Sequence, residues 1–331
     1  MALGPGFSPF AVPVYKHTHR LMATILFQDQ QYQNGIIADP PDKEFLVAAL
    51  DLMSGLVQGM GDSLGDVIAQ TDPALIQLLI HCLEDPIDDV RQSGFALLGD
   101  FAILLFQFLG PYMQQLMTAL IPQIEFDGRA PSVVNNAAWA AGEIAIQLGG
   151  QFRPYVQHLL PRLILLINAN NTPGPVLENA AIAIGRTGLV CPDDVARELP
   201  VFAAAFIRAL KDVRDNEEKD SAFRGFCTLI GKNPSGLSAD LTNFVIAVAK
   251  YSEPSPELAD MFHTVVPLSL HHRWMLMGRF YMGIKVLLAI GRSFSLHYLL
   301  RYLKSFRNVM ECNSPFPGGF MWDAVGVIYA F

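Results

Sequence analysis

Between Glu44 and Val266, apolar residues recur at i, i+3, i+4 and i+7, the spacing that gathers them on one face of a helix. Breakers interrupt the pattern at Asp72-Pro73, Asp85-Pro86, Gly110-Pro111, Pro131, Pro154, Pro173, Pro175, Pro192, Pro234, Pro254 and Pro256. Proline fits the first turn of a helix and damages its interior, so these positions mark starts and ends. The segments between them run to roughly 12–24 residues, too long for strands. Strand-like alternation is essentially missing. The pattern predicts an all-α chain.

The helices also repeat. The run Val90-Arg91-Gln92-Ser93-Gly94-Phe95-Ala96-Leu97-Leu98-Gly99-Asp100 aligns with Val133-Val134-Asn135-Asn136-Ala137-Ala138-Trp139-Ala140-Ala141-Gly142-Glu143, and both align with Leu177-Glu178-Asn179-Ala180-Ala181-Ile182-Ala183-Ile184-Gly185-Arg186. Gly99, Gly142 and Gly185 stand 43 residues apart, and a weaker copy around Gly225 follows 40 residues later. Two helices in a unit of this length are the signature of HEAT and armadillo repeats. The expected fold is a HEAT-repeat α-solenoid, a right-handed superhelical array of antiparallel helix pairs. Its units share one core and offer a concave face, and the small residues around each glycine let neighbouring helices approach.

Within the repeated helix, Ala96, Trp139 and Ile182 are equivalent, and one turn later stand Asp100, Glu143 and Arg186. One turn earlier stand Ser93, Asn136 and Asn179. A charged residue beside a large apolar one leaves the dry core unless it is paired, which places this stripe on the open surface. Trp139 and Ile182 then become exposed anchors, and Asn135, Asn136 and Asn179 become amides able to donate to and accept from a peptide backbone. Such a wall suits an extended, partly basic peptide. The competing reading packs Trp139 between repeats and uses the asparagines to cap local turns.

Several runs resemble the transportin (karyopherin-β2) family of nuclear import receptors. They are residues 214–225, residues 135–147 around Asn135-Asn136-Ala137-Ala138-Trp139, residues 177–192, and Ala49-Leu50-Asp51-Leu52-Met53-Ser54-Gly55-Leu56. The resemblance covers residues 6–266 and corresponds to the C-terminal third of the family's chain. It implies a cargo receptor whose C-terminal arch holds nuclear localisation signals of the proline–tyrosine class. It carries Trp139, Ile182 and Val47 over as the surface for the signal's hydrophobic motif. Asp51 and Asp100 become acids that meet its basic residues, and Asn135, Asn136 and Asn179 contact its backbone. Glu143 joins them from the repeat stripe. Cargoes implied are RNA-binding proteins. The full family also engages the GTPase Ran and nucleoporins, but its main Ran surface, its acidic release loop and the seat for the proline–tyrosine end have no counterpart in this sequence. The implied location is the cytoplasm and the nucleus, with shuttling between them. A HEAT scaffold for a folded partner, without import activity, is the alternative.

Composition narrows the field further. Charged residues make up 16% of the chain and apolar ones 51%, which excludes a disordered chain. Cys82, Cys191, Cys227 and Cys312 are too few for a disulfide framework and lie too far apart for a zinc site, so they read as free thiols. The formal charge of −8 divides unevenly: residues 1–266 carry −13 and residues 267–331 carry +5. The acidic part disfavours nucleic acid and favours a basic partner. No secretory signal is visible, and the most apolar stretch, residues 281–300, is broken by Lys285 and Arg292, so no membrane span is expected.

The expected organisation is a partial repeat and loop at 1–43, HEAT repeats at 44–266, and a divergent basic, aromatic tail at 267–331. The tail is read as sequence foreign to the array; as a genuine segment it would be an amphipathic membrane-surface element. No catalytic role is expected. Gly61-Asp62-Ser63-Leu64-Gly65 fits the serine-hydrolase pattern, but the elbow needs a preceding strand and residues 45–60 read as helix. Residues 214–219 read as an inter-helix loop with a helix start near Asn216. Neither a metal nor a cofactor is expected, since adjacent His271 and His272 would point apart on a helix.

Overall fold

Proline opens many of the helices, as its fixed φ and missing N–H allow. The first helical turn holds Pro9, Pro131, Pro154, Pro175 or Pro200 in five of them. The computed structural model describes residues 4–125 and 130–277, and among these there are helices and turns and no strand. The helices are α1 (Ser8–Gln33), α2 (Glu44–Met60), α3 (Gly65–Ala69), α4 (Leu75–Leu83), α5 (Asp88–Leu104), α6 (Met113–Leu120) and α7 (Pro131–Leu148). They continue as α8 (Arg153–Asn168), α9 (Gly174–Val190), α10 (Pro192–Val195), α11 (Leu199–Leu210), α12 (Glu217–Lys232), α13 (Leu241–Lys250) and α14 (Pro256–Met277). Three prolines are exceptions to the boundary rule: Pro13, Pro161 and Pro267 lie inside α1, α8 and α14. In α8 the buried Leu159, Leu160 and Leu163 hold the helix across the lost backbone bond.

The chain divides into two compact units, Met1–Cys191 and Pro192–Phe331. In the first unit, α2, α5, α7 and α9 pack side by side in chain order, while α1, α4 and α6 form the layer behind them. This is the two-layer arrangement of a HEAT-type solenoid. Its core comes from the apolar stripe of each helix, such as Leu46, Leu50, Met53 and Val57 of α2 and Phe95, Leu98 and Phe101 of α5, all fully buried. Burying one such side chain is worth about 1.5–3 kcal/mol. The segment from α1 to Lys43 belongs to the same stack, because α1 pairs with α2. The linker between them is pinned by Lys43, whose Nζ reaches Asp85 at 2.6 Å and Asp29 at 3.1 Å.

The second unit repeats the scheme, with α11 beside α13 and α12 beside α14. Its core is aromatic: the rings of Phe206 and Phe226 stack at 4.3 Å, and Phe223 meets Tyr251 edge-on at 5.7 Å. As residues 214–219 led us to expect, Asn216 caps α12 by accepting from the Lys219 backbone N–H at 2.8 Å. Helix α14 runs on through residues 266 and 267, where the change in composition falls, to Met277. The remainder of the tail, residues 278–331, lies outside the described residues.

Lys219 ties this unit together. Its side chain is buried, and its Nζ donates to the Val213 carbonyl at 2.7 Å and to Asp215 Oδ1 at 2.8 Å, while lying 4.5 Å from the centre of the Tyr251 ring. Asp215 Oδ2 in turn accepts the backbone N–H of Ser252 at 2.7 Å. One cation therefore fixes two inter-helix loops. Breaking a buried pair strands the remaining charge, so Lys219→Ala should lower the unfolding free energy by about 3 kcal/mol in urea titrations. A loss below about 0.5 kcal/mol, the scale of a surface pair, would show that the clamp is dispensable.

Candidate functional site

The seam between inner helices starts from glycine. At Gly99 of α5 there is no room for a side chain: a Cβ placed there would lie 2.0 Å from the ring of Trp139 on α7. At Gly142 of α7 the aliphatic part of Arg186 from α9 comes within 3.3 Å of the same position. These approaches bring equivalent positions of successive repeats into contact, and they decide where the nominated residues go.

Polar groups cross the same seams. Asn179 Nδ2 donates to Asn135 Oδ1 at 2.9 Å, Asn135 Nδ2 to Asn136 Oδ1 at 3.2 Å, and Asn136 Nδ2 to the Gln92 carbonyl at 3.0 Å. This chain of bonds links α9, α7 and α5, and its three asparagines are half-buried. It uses one or two of the four sites each amide offers, and it does not cap local turns. Arg186 Nη1 donates to Glu143 Oε1 at 2.6 Å, with both residues buried. The carboxylate of Asp100 accepts from Ser54 Oγ and, at 3.0 Å, from Gln58 Nε2, both on α2. Burial raises the Asp100 carboxyl above its ordinary value against the opposing effect of these two donors.

These positions correct part of the sequence reading. Ser93, Asp100, Glu143, Ile182 and Arg186 were placed on the open surface and are buried, Ile182 to 1% exposure. The exception to the burial rule applies: the charged groups are paired across the seam, and α9 is covered along residues 180–188. The Asp100 carboxylate is directed at α2. Trp139 lies between the two readings, half-buried with one part of its ring seated on Gly99. Asp51 is exposed and Val47 half-buried, both on α2. Ser54, Gln58, Gln92 and Arg186 were not nominated as binding residues. The opposite charges of Glu143 and Arg186 at equivalent positions of adjacent repeats were the available signal.

Other candidates fall outside this wall. Ser63 follows α2 in a tight helical turn and donates to the Met60 carbonyl at 2.5 Å, without the preceding strand that a nucleophile elbow requires. Cys82, Cys191 and Cys227 are buried and outside any disulfide, and burial pushes Cys82 up to about 12. Among the described residues, no cluster of three His, Cys, Asp or Glu could hold a metal, and no helix is long and apolar enough to cross a membrane.

Importin subunit beta-2 of Schizosaccharomyces pombe is 42% identical over 266 residues, which is 80% of this chain and 29% of that protein. Transportin-1 of Homo sapiens is 43% identical over 272 residues, 79% of this chain and 29% of its own. The chain thus spans less than a third of the length of these relatives. The crystal structure of Kap121p bound to Pho4p superposes with a TM-score of 0.52 at 15% identity, over 91% of this chain and 29% of that one. No family model matches.

Asp100 generates a pH signature. A carboxyl whose value is raised by folding holds its proton more tightly when folded, so ionising it costs stability. Its contribution is intact below the unfolded value, near 3.8, and is lost as pH rises through the folded one. Urea unfolding of Asp100→Asn beside the parent should show the stability difference shifting toward the variant as pH climbs through that window. A difference that is flat with pH, or that moves the other way, would contradict the burial described for this group.

Proposed function

Because the chain belongs, over about four fifths of its length, to the importin-β2/transportin family, we propose that it forms the cargo-holding wall of a nuclear import receptor. The observation that carries this reading is the half-exposed surface on which Trp139 stands beside the linked amides Asn135, Asn136 and Asn179. The ring offers an apolar anchor whose orientation is set by Gly99, and the amides offer unused donor and acceptor sites to an extended backbone. Val47 extends the apolar surface, and exposed Asp51 supplies the negative charge for basic residues of the signal. Asp100, Glu143 and Ile182 act from behind, by holding the helices that present these groups.

The ligand class is a nuclear localisation signal of the proline–tyrosine type, carried by RNA-binding proteins among others. Ran and nucleoporins are partners of the complete receptor, and shuttling between cytoplasm and nucleus follows from that role. The recognition is non-covalent and calls for no catalytic group, cofactor, metal, nucleic acid or membrane.

A fluorescein-labelled synthetic signal peptide, basic with one aromatic anchor, tests this by polarisation. Trp139→Ala removes a central aromatic anchor, and the dissociation constant should rise about thirtyfold or more. Raising ionic strength should weaken binding to the parent more than to Asp51→Asn. Equal affinity of parent and Trp139→Ala would discard the cargo reading in favour of a scaffold for a folded partner.

A further inference from the structure

We propose that the inner helices carry a second apolar row, Ile103, Ile146 and Leu189, which receives alternate side chains of the same extended basic peptide. This deepens the cargo-binding reading and rests on it. Each residue lies four positions after one of the repeated glycines Gly99, Gly142 and Gly185 and seven after a member of the first row, Ala96, Trp139 and Ile182, so the second row keeps the 43-residue register. Seven residues along a helix return to the same face and advance about 10.5 Å. Ile103 is 45% exposed, and Ile146 and Leu189 are half-buried. A single exposed isoleucine would be unremarkable. Three aliphatic residues in one register position of adjacent helices make a row.

The first row alone is a poor apolar track. Ala96 is small and Ile182 is buried, which leaves Trp139 as its large accessible group. Between the rows the floor is closed: Gly99 and Gly142 are filled by the next helix, the Asp100 carboxylate is taken up by Ser54 and Gln58 of α2, and Glu143 and Arg186 are paired with each other across the α7–α9 seam. A peptide crossing this floor has little to bind directly beneath it and an apolar row on either side. Successive side chains of an extended chain point to opposite sides. Residues at an odd offset therefore reach opposite rows, while residues at an even offset compete for the same one. The charge of the occupant follows from Asp89 and Asp51, both exposed, with Asp89 on the face of α5 seven residues before Ala96. The groove selects a basic segment with two apolar residues at an odd spacing.

Two fluorescein-labelled synthetic peptides, equal in composition and basic, carry a phenylalanine and a leucine either three or four residues apart. The parent chain should bind the odd-spaced peptide about tenfold more tightly, the scale of one buried aliphatic side chain. Ile103→Ser, at an exposed position, and the double variant with Ile146→Ser should erase that preference and leave the even-spaced peptide unchanged, with unfolding midpoints checked in parallel. If Trp139→Ala weakens both peptides but odd and even spacings bind alike, or if Ile103→Ser preserves the preference, the second row is overturned and the cargo reading stands. If Trp139→Ala changes neither peptide, the cargo reading itself has failed.

Discussion

The stack of α5, α7 and α9 depends on how closely these helices approach at their glycines. Gly99 gives its side-chain space to the ring of Trp139, and Gly142 gives its own to Arg186. Backbones that come this near exclude water from whatever lies beside the contact. Every polar group on the seam must then find its partner on the neighbouring helix, since an unmatched buried group costs about 1–3 kcal/mol. The Arg186–Glu143 pair, the Asp100 carboxylate with Ser54 and Gln58, and the chain of asparagines meet this demand one after another. Such pairs add little to stability over an apolar seam, but a slip of one residue would strand several of them. They fix register.

A fixed register is also what a peptide-binding wall requires. Trp139 cannot choose freely among rotamers while part of its ring occupies the cavity over Gly99, so less side-chain entropy remains to be lost when a partner covers the rest. The asparagines are likewise held by each other before any ligand arrives. The groups that make the stack and the groups that could contact a ligand are therefore the same residues, used on different sides. Removing one of them disturbs both roles, which is why the exposed Ile103 and Asp51 separate recognition from folding better than Asn135 or Glu143 do.

Much of the architecture was legible in the sequence. The proline punctuation and the 43-residue spacing of Gly99, Gly142 and Gly185 give the helix pairs and their order, because backbone sterics and close approach leave few residues able to fill those positions. The depth of Asp100, Glu143 and Ile182 was not legible by the same route. Amphipathic logic assumes one covered face per helix, whereas an inner helix of a stack is covered behind and on both flanks. Glu143 then reads as a surface charge when taken alone. Compared with Arg186 in the next repeat, it becomes one half of a pair. The missing information was between repeats, not within one.

Charge acts here at two ranges. Residues 1–266 carry a formal −13, and on the proposed reading this charge draws a basic partner toward the wall from a distance of about a Debye length, ~8 Å at physiological salt. At contact range the count changes. Glu143 is neutralised by Arg186, and the Asp100 carboxylate is turned to α2, so of the three acids nominated on this surface Asp51 alone remains exposed. Direct ion pairs with a ligand are accordingly few, and most of the negative charge contributes to approach rather than to the bound geometry. On the proposed reading, discrimination among basic partners falls to groups that carry no net charge: the ring of Trp139, the amides beside it, and the spacing of apolar residues along the inner helices.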